Sequence, residues 1–564
     1  MTLEISFVEI DLRKTGTMTV SQAKEISSLE PSVRSEYNRF IGELIKKNNL
    51  SDIDLLLQAT CRNTNLSFIL DRFCRFRLLR NMLERGEVIK KVFVDSVSMK
   101  SVCERLVGEF DSKIIVEYKK INLPNKYNVL NNCIKSLCLM LCLFFVPKII
   151  LGKRMPSKPI KYLENFLFID SIDDSGVLVD RYYPSLIESI EDEDVQKSIW
   201  YVPILIGFRT IGQYFSIFKK IRLSKSNFLM KEDWLLLSDY VTAFKLSLGL
   251  HRRVITIPMW EGIDVHEIVN DELIKEIGSP ALVNAILFYK FIKRLKEQKV
   301  EIDIAIDWNE NQVIDRAINL AFKKYFPDVY VKGYQGYVVP DFYTCKDPTV
   351  YEVEAGSVPN EICVVGEAFV ENKKRYCSSL KVGIAPAFRF SNSYNPNYLG
   401  CKKTSDIIIV LPISLEDSRE ILRLCVKLAN IIGDQHNFIV KYHPTFTKER
   451  FFSLAPEAKS SCFRFSDQHL YDHLSSACLL ISALSSVCLE AAVLGLMVAI
   501  VGTRSGPVMN PLSGLKGIES WKVCYDENEI LSLLNTSHPK AAFKSNYFFQ
   551  PVSTANALEF ISKP

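Results

Sequence analysis

The chain has 564 residues, a formal charge of +5, 48% hydrophobic residues and 24% charged residues. Such a length calls for two or three domains, and the apolar content excludes global disorder. A charge this small over this length gives no ground for a nucleic-acid partner; it fits at most a mild attraction to anionic lipid or an anionic small molecule. Fifteen Cys are scattered, several inside apolar runs, such as Cys138, Cys142, Cys478 and Cys488. That distribution suits buried, reduced thiols in a reducing cytosol. There is no Cys-x-x-Cys pair and His is sparse and dispersed, so no structural zinc and no other cofactor is expected. The first nine residues hold two Glu and no basic region, which predicts no signal peptide and a cytoplasmic protein.

In chain order, residues 5–10, 92–94 and 113–116 read as short strands, with helical patterning between 20 and 86. Residues 137–146 form an unbroken apolar run, followed by Lys148, Lys153, Arg154 and Lys158. A run of about ten is too short to cross a bilayer as a helix, which takes about twenty. The segment 130–160 then has two readings: a helix lying in a membrane interface with its cations near anionic headgroups, or a buried helix of the core. Strands are predicted at 166–170 and 199–206, a helix at 281–299, and a strand at 302–306 that delivers Asp307 and Glu310 to its carboxyl end. Tyr182, Tyr183 and Trp200 either stack on a sugar in an acceptor groove or belong to the core. Asp52-Ile53-Asp54 and Asp192-Glu193-Asp194 have an Asp-x-Asp form that can bind metal, but neither follows a clear strand, and both read as solvated acidic pairs. Pro340, Pro348 and Gly356 punctuate a boundary. The expected domains are therefore 1–340, 341–545, and a terminal segment 546–564 that returns to the first.

Beyond that boundary the rhythm is strand, polar turn, helix, strand. Residues 407–411 lead to Glu416-Asp417-Ser418, 438–442 to His443-Pro444-Thr445, and 477–481 to Ser485-Ser486 and Glu490, before a new apolar run at 497–501. This is the pattern of a parallel sheet, whose ligands bind outside the carboxyl ends of the strands. It points to a nucleotide-type ligand. Ser485 and Ser486, with the free N–H groups of the following helical turn, can hold a phosphate, and Glu490 one turn on can accept from ribose hydroxyls. Pro444 fixes the strand exit, so His443 can be presented to a phosphate or a developing oxyanion. Arg389 can pair with a donor carboxylate or phosphate as a bidentate fork. Each residue also has a plainer reading: a Ser-Ser helix cap, a structurally bonded His, an acidic helix start, a surface Arg. The ordered set favours the functional one. P-loop, Gly-x-Ser-x-Gly and His-Glu-x-x-His motifs are absent, which disfavours a P-loop NTPase and two common hydrolase types.

The succession of an Asp417-Ser418 turn, Lys441-x-His443-Pro444 and Ser485-Ser486-x-x-x-Glu490-Ala491 resembles the C-terminal domain of two-domain glycosyltransferases that use CMP-activated sugars. It is most similar to the bacterial surface-polysaccharide transferases that add β-Kdo. Upstream, Glu310-Asn311-Gln312, Gly333-Tyr334-Gln335-Gly336 and the stretch from Pro359 to Gly366 are similar to Glu-Asn-Gln, Gly-x-Gln-His and Leu-Pro-Asp-x-x-x-x-x-Gly elements of the same group. The likeness covers roughly residues 166–501, and Gly336 stands where those proteins often carry His. The resemblance implies an α/β GT-B fold: two Rossmann-like domains facing a cleft, with helical additions in the N-terminal lobe. It implies transfer of an ulosonic acid, Kdo, from a CMP donor to a surface-polysaccharide glycan or lipid-linked glycan, without metal, with peripheral contact at the cytoplasmic face of the inner membrane. It further implies Asp417 as the nucleophile of a retaining reaction, with Glu310 as acid/base or acceptor-orienting group. Lys441, His443, Ser485, Ser486 and Glu490 would bind the donor, and Asn311, Gln312, Gln335 and Tyr183 would lie on the acceptor side. Three alternatives stay open: another nucleotide-sugar transferase (sialyl-type, or for a UDP- or GDP-hexose), a CDP-alditol phosphotransferase, and a non-catalytic nucleotide-binding scaffold.

Overall fold

The computed structural model describes residues 8–14, 16–48, 50–110, 113–119, 125–150, 152, 154–249, 255–398, 404–536 and 545–564. The first unit is a parallel sheet of three short strands in the order β1 (Val8–Asp11), β2 (Ile89–Val94), β3 (Ile115–Tyr118). Two helices, α1 (Val20–Asn48) and α2 (Ile69–Glu84), pack on each other beside it. On α1 the residues Ile26, Val33, Tyr37, Phe40, Ile41 and Leu44 are buried, a helical spacing that makes one apolar face. Phe73 of α2 stacks on Trp260 with ring centroids 4.0 Å apart, so the later segment around Trp260 joins this core. Residues 1–7, which include part of the first expected strand, lie outside the described residues.

Next in the chain is α3 (Asn125–Ile149), followed by β4 (Ile160–Leu167), β5 (Ile199–Leu205), α4 (Leu237–Leu248), α5 (Pro280–Glu297), β6 (Ile302–Trp308) and α6 (Val313–Tyr325). With β7 (Tyr330–Gln335), β8 (Glu361–Val364) and β9 (Val382–Ile384) these strands build a six-stranded parallel sheet, ordered β5-β4-β6-β7-β8-β9. The third sheet comprises β10 (Asp406–Val410), β11 (Asn437–Lys441), β12 (Phe463–Phe465), β13 (Leu479–Ser482), β14 (Met497–Val501) and β15 (Trp521–Cys524), in the order β12-β11-β10-β13-β14-β15. Its α7 (Leu415–Ile432) follows β10, and α8 (Val487–Val493) follows β13. Every residue of β13 and β14 is buried, as helices on both faces of a parallel sheet require.

Two expectations about domain organisation are corrected. The boundary at 340 falls inside the middle lobe, because Lys332 of β7 pairs with Glu361 of β8, and Ile362 pairs with Val382 of β9. Pro340, Pro348 and Gly356 punctuate a long crossover between neighbouring strands; Gly356, at φ 78°, ends the short helix Val350–Ala355. The C-terminal sheet begins only at Asp406. Nor do residues 1–340 form one Rossmann-like lobe: among the described residues β1–β3 make a sheet separate from that of β4–β9. Local patterning marks a strand but not its partner, which long-range pairing decides.

The terminal helix α9 (Thr554–Phe560) lies against the middle lobe. The Lys332 ammonium donates to the carbonyls of Glu559 and Ser562, both at 2.8 Å, capping the helix C-terminus where a cation is favoured. Phe560 packs on Tyr334, 5.1 Å between centroids.

Candidate functional site

Each large sheet has a point where its strand order reverses, and crevices open at the carboxyl ends of such strand pairs. In the middle lobe the point lies between β4 and β6, and the chain leaving β6 carries Glu310. In the C-terminal lobe it lies between β10 and β13, whose exits lead to Asp417 and to Ala483–Ser486. Sequence reasoning found both turns without knowing the strand order.

Asp417 lines two adjoining cavities, of about 140 and 200 Å³, with Ala483, Val501, Thr503 and Ser505. It also sits in the first turn of α7, where its N–H donates to the capping hydroxyl of Ser414 at 3.2 Å. Burial pushes its carboxyl above the usual range, against the Ser414 hydrogen bond and helped by nearby Glu420. The opposite wall of the smaller cavity comes from the first unit, through Lys14, Asp71 and Arg75, with Phe342 from the middle lobe. Arg75 pairs with Asp71 at 2.7 Å, donates to the Arg13 carbonyl at 2.9 Å, and reaches across to the Ser505 carbonyl. Arg504 makes the reciprocal link: its Nε donates to the Met18 carbonyl at 2.8 Å, and Met18 N–H donates back to the Arg504 carbonyl at 2.9 Å. A Cβ on Gly506 would sit 3.1 Å from Asp71 Oδ1 and 3.3 Å from Arg75 Nη2, so a glycine suits this close approach. Lys14 lies over the Phe68 ring at 3.4 Å, and burial lowers its ammonium below the ordinary value.

Sequence reasoning missed this wall. Lys14 stands just past the carboxyl end of β1, and Gly502-Thr503-Arg504-Ser505-Gly506 follows the wholly apolar β14, the same strand-exit signal that found Asp417. Arg75 gave no signal, because it lies mid-helix and only tertiary packing brings it here.

Glu310 accepts from Trp308 Nε1 at 3.2 Å, from Tyr343 Oη at 3.3 Å and from Gln312 Nε2. Gln312 in turn accepts from Asn63 Nδ2 at 3.0 Å and donates to Tyr343 Oη at 2.6 Å, tying the site to the first unit. Burial raises the Glu310 carboxyl, outweighing these donors and the charge of Arg389. The Arg389 guanidinium is exposed, 5.6 Å from the Trp308 ring and 5.8 Å from that of Tyr182, and its charge also acts on Glu490. Its charge therefore reaches a carboxylate in each of the two larger lobes. Phe342 borders the cavity of Asp417 and its neighbour Tyr343 bonds Glu310, so one turn joins the two carboxylate sites.

His443 follows β11 and is half-buried. The Thr445 N–H donates to its Nδ1 at 3.2 Å, which leaves Nε2 as the protonated nitrogen of a neutral ring. Burial lowers its pKa, favouring that neutral donor form. Ser485 Oγ accepts from Val487 N–H at 3.3 Å, while Ser486, the N-cap of α8, makes no side-chain cap bond.

Other expected site residues are engaged elsewhere. Glu490 is buried, with one oxygen accepting from Ser486 Oγ at 3.1 Å and the other from Tyr471 Oη. Both oxygens serve interior donors, so ribose is not their partner in this arrangement. The Lys441 ammonium donates to the Ser466 carbonyl at 3.1 Å and to that of Gln468, latching β11 to the chain after β12. Asn311, at φ 53°, donates to the Cys345 carbonyl at 2.9 Å in the interior. Gln335 donates to the Lys346 carbonyl at 2.8 Å, also buried. Tyr183 is enclosed by Trp308 and Tyr334, at 5.9 and 5.5 Å between centroids, and is core, as is Trp200. Asp307 points inward to Asn319 Nδ2 at 2.9 Å. Asp307, Asn311 and Gln335 thus spend these polar groups inside the middle lobe, around the Glu310 turn. At Gly336 a Cβ would meet the Tyr334 ring and lie 2.6 Å from Trp308, so the rings fill the space that a His there would need. Asp192 caps an exposed helix turn, Asp54 accepts from Ser51, and among the described residues no group of three or more His, Cys, Asp or Glu is placed to hold a metal.

No family model matches the chain, and no curated protein sequence does. Solved structures similar to it include a S. aureus MnaA–UDP complex, at 10% identity over 71% of this chain and 95% of that one, with a TM-score of 0.35. UDP-GlcNAc 2-epimerase from Methanocaldococcus jannaschii is 13% identical over 71% of this chain and 99% of its own, with a TM-score of 0.38. Acinetobacter baumannii MurG is 11% identical over 71% and 98%, with a TM-score of 0.35. Likeness at this level concerns the course of the chain and carries nothing about donor or chemistry.

Proposed function

We propose that the protein is a glycosyltransferase that moves an ulosonic acid, Kdo, from a CMP donor to a surface-polysaccharide acceptor, without a metal ion. The observation that carries this reading is the position of Asp417 and Glu310. Each leaves the strand-order reversal of its own sheet, and one turn, Phe342-Tyr343, touches both surroundings. The CMP choice rests on the resemblance of the Lys-x-His-Pro and Ser-Ser-x-x-x-Glu elements.

In this reading the cytidine monophosphate lies across β10 and β13, its phosphate met by the His443 Nε2–H and the Ser485 hydroxyl. Lys14 and Arg389 supply positive charge at the cleft. A carboxylate oxygen of Asp417 bonds to the anomeric carbon as the bond to the CMP phosphate oxygen breaks, and CMP departs with the electron pair. The acceptor hydroxyl then displaces Asp417 from that carbon and gives its proton to Glu310, so the configuration is retained. A carboxyl raised by burial is suited to take that proton.

The test is steady-state kinetics with CMP-Kdo. Asp417→Asn and Glu310→Gln each lower kcat by about a hundredfold or more while CMP affinity stays within about threefold. Variants that keep near-normal kcat would overturn the assignment of both carboxylates.

A further inference from the structure

Helix α3 shows two faces of opposite character, and both are apolar. Its inner face is fixed to the protein: Met140, Leu143 and Val146 are buried, Ser136 Oγ donates to the Gly278 carbonyl at 2.7 Å, and Tyr240 Oη donates to the Leu143 carbonyl at 3.3 Å. Its outer face carries Leu130, Ile134, Leu137, Leu141, Phe145 and Ile149, each 43 to 64% exposed. Steps of three and four residues align these side chains in one stripe along the helix. The stripe continues sideways. Phe145 contacts Phe144, which meets Tyr240 of α4 edge-on at 5.5 Å, and α4 adds Leu236, Leu237 and Val241, 45 to 58% exposed. A contiguous apolar strip of this kind marks a docking surface.

The charge around it selects the partner. From Val129 to Pro159 the sequence carries five Lys or Arg and no Asp or Glu, whereas Lys161 lies in β4 and pairs with Asp303 at 3.0 Å. Lys135 and Lys148 are exposed on α3 itself, and Lys245 is exposed one turn beyond Val241. A second copy of the chain, docked face to face, would bring these cations against their own kind. An anionic bilayer supplies both an apolar interior and the opposite charge.

We propose that this face, α3 with the exposed side of α4, docks on an anionic lipid bilayer with α3 lying flat in the interface. The stretch Val129–Ile149 is long and apolar enough to span a membrane by length and composition. The hydrogen bonds and buried side chains of its inner face hold it along the protein surface instead. The proposal is independent of which sugar or nucleotide the cleft takes.

Co-sedimentation of the full chain with vesicles tests it, comparing phosphatidylglycerol mixed with phosphatidylcholine against phosphatidylcholine alone. The full chain partitions onto the anionic vesicles and is released by high salt. The paired change Leu141→Glu and Phe145→Glu lowers that partition by about tenfold or more. The pair Lys135→Glu and Lys148→Glu weakens it on anionic vesicles only. All four positions are exposed, so the variants keep the thermal midpoint of the parent, which the same samples report. Three results would overturn the proposal: no partition onto anionic vesicles, partition unchanged by the Leu141 and Phe145 pair, or a dimer in solution that this pair converts to monomer, which would assign the face to a second copy.

Discussion

At the scale of single residues, the turn that carries Glu310 is held by a buried ionic knot. Arg62 and Arg316, each no more than 1% exposed, share one carboxylate, that of Glu352; Arg62 Nη2 lies 2.7 Å from Glu352 Oε2, and Arg316 binds the other oxygen. The remaining guanidinium protons go to carbonyls, such as those of Thr344 and Asp347, and Arg316 also donates to the Asn311 side chain at 3.2 Å. Removing the single anion leaves two buried cations, so Glu352→Gln lowers stability by about 3–5 kcal/mol in urea unfolding. It also loosens the turn, so kcat falls in the variant that still folds. Glu276 sets a pH response. Burial pushes its carboxyl up to about 8, although Gln58 N–H donates to it at 2.9 Å. A raised folded-state pKa means that the folded protein holds a proton the unfolded chain has released. Stability is full below the ordinary glutamate value and declines by about 1.4 kcal/mol per pH unit as pH rises towards 8. Glu276→Gln removes that share of the slope, so the gap in thermal midpoint between variant and parent narrows or reverses from pH 5 to pH 9.

At the scale of elements, the inner strands of the C-terminal sheet were the most legible. The runs at 407–411, 438–442 and 497–501 coincide within a residue with β10, β11 and β14, because the buried centre of an inner parallel strand is apolar on both faces. β9 was invisible: three residues, Val382–Ile384, interrupted by Gly383 and half-exposed, make no pattern. For α3 the sequence left interface and core as alternatives, and the structure gives one face to the core and the other to solvent. Of the candidate site, the sequence shows which polar residues stand at strand exits, but not where their side chains point. Glu490 and Lys441 follow the pattern and yet spend their polar atoms on Tyr471, Ser486 and carbonyl groups. Spacing sets the face of a helix and says nothing of a neighbour that arrives from another element. The terminal helix gives a direct check of one such neighbour. Phe560 fills a pocket between Tyr334 and Phe388, so Phe560→Ala costs about 3–5 kcal/mol, read as a lower thermal midpoint.

At the scale of the whole molecule, the described residues form three parallel sheets, and residues of all three units line the cavity that holds Asp417. The first unit holds the C-terminal lobe through Arg75 to the Ser505 carbonyl, through the two hydrogen bonds between Met18 and Arg504, and through Lys24 to Glu529 at 2.8 Å. Arg75, Arg504 and Ser505 line the same cavities as Asp417, so groups of both units border that carboxylate. Gly506→Val pushes on Asp71 and Arg75 and lowers kcat/KM for the acceptor while CMP affinity is kept. The central claim is that the crevice at β10 and β13 takes a CMP-activated donor. Calorimetric titration of the full chain with CMP, CDP, UDP and GDP, with and without Mg²⁺, and with the His443→Ala and Ser485→Ala variants, tests it most directly. CMP binding tightest, unchanged by Mg²⁺ and weakened by about tenfold or more in both variants is the predicted result. Preference for UDP or GDP, or CMP binding that neither substitution alters, would contradict it.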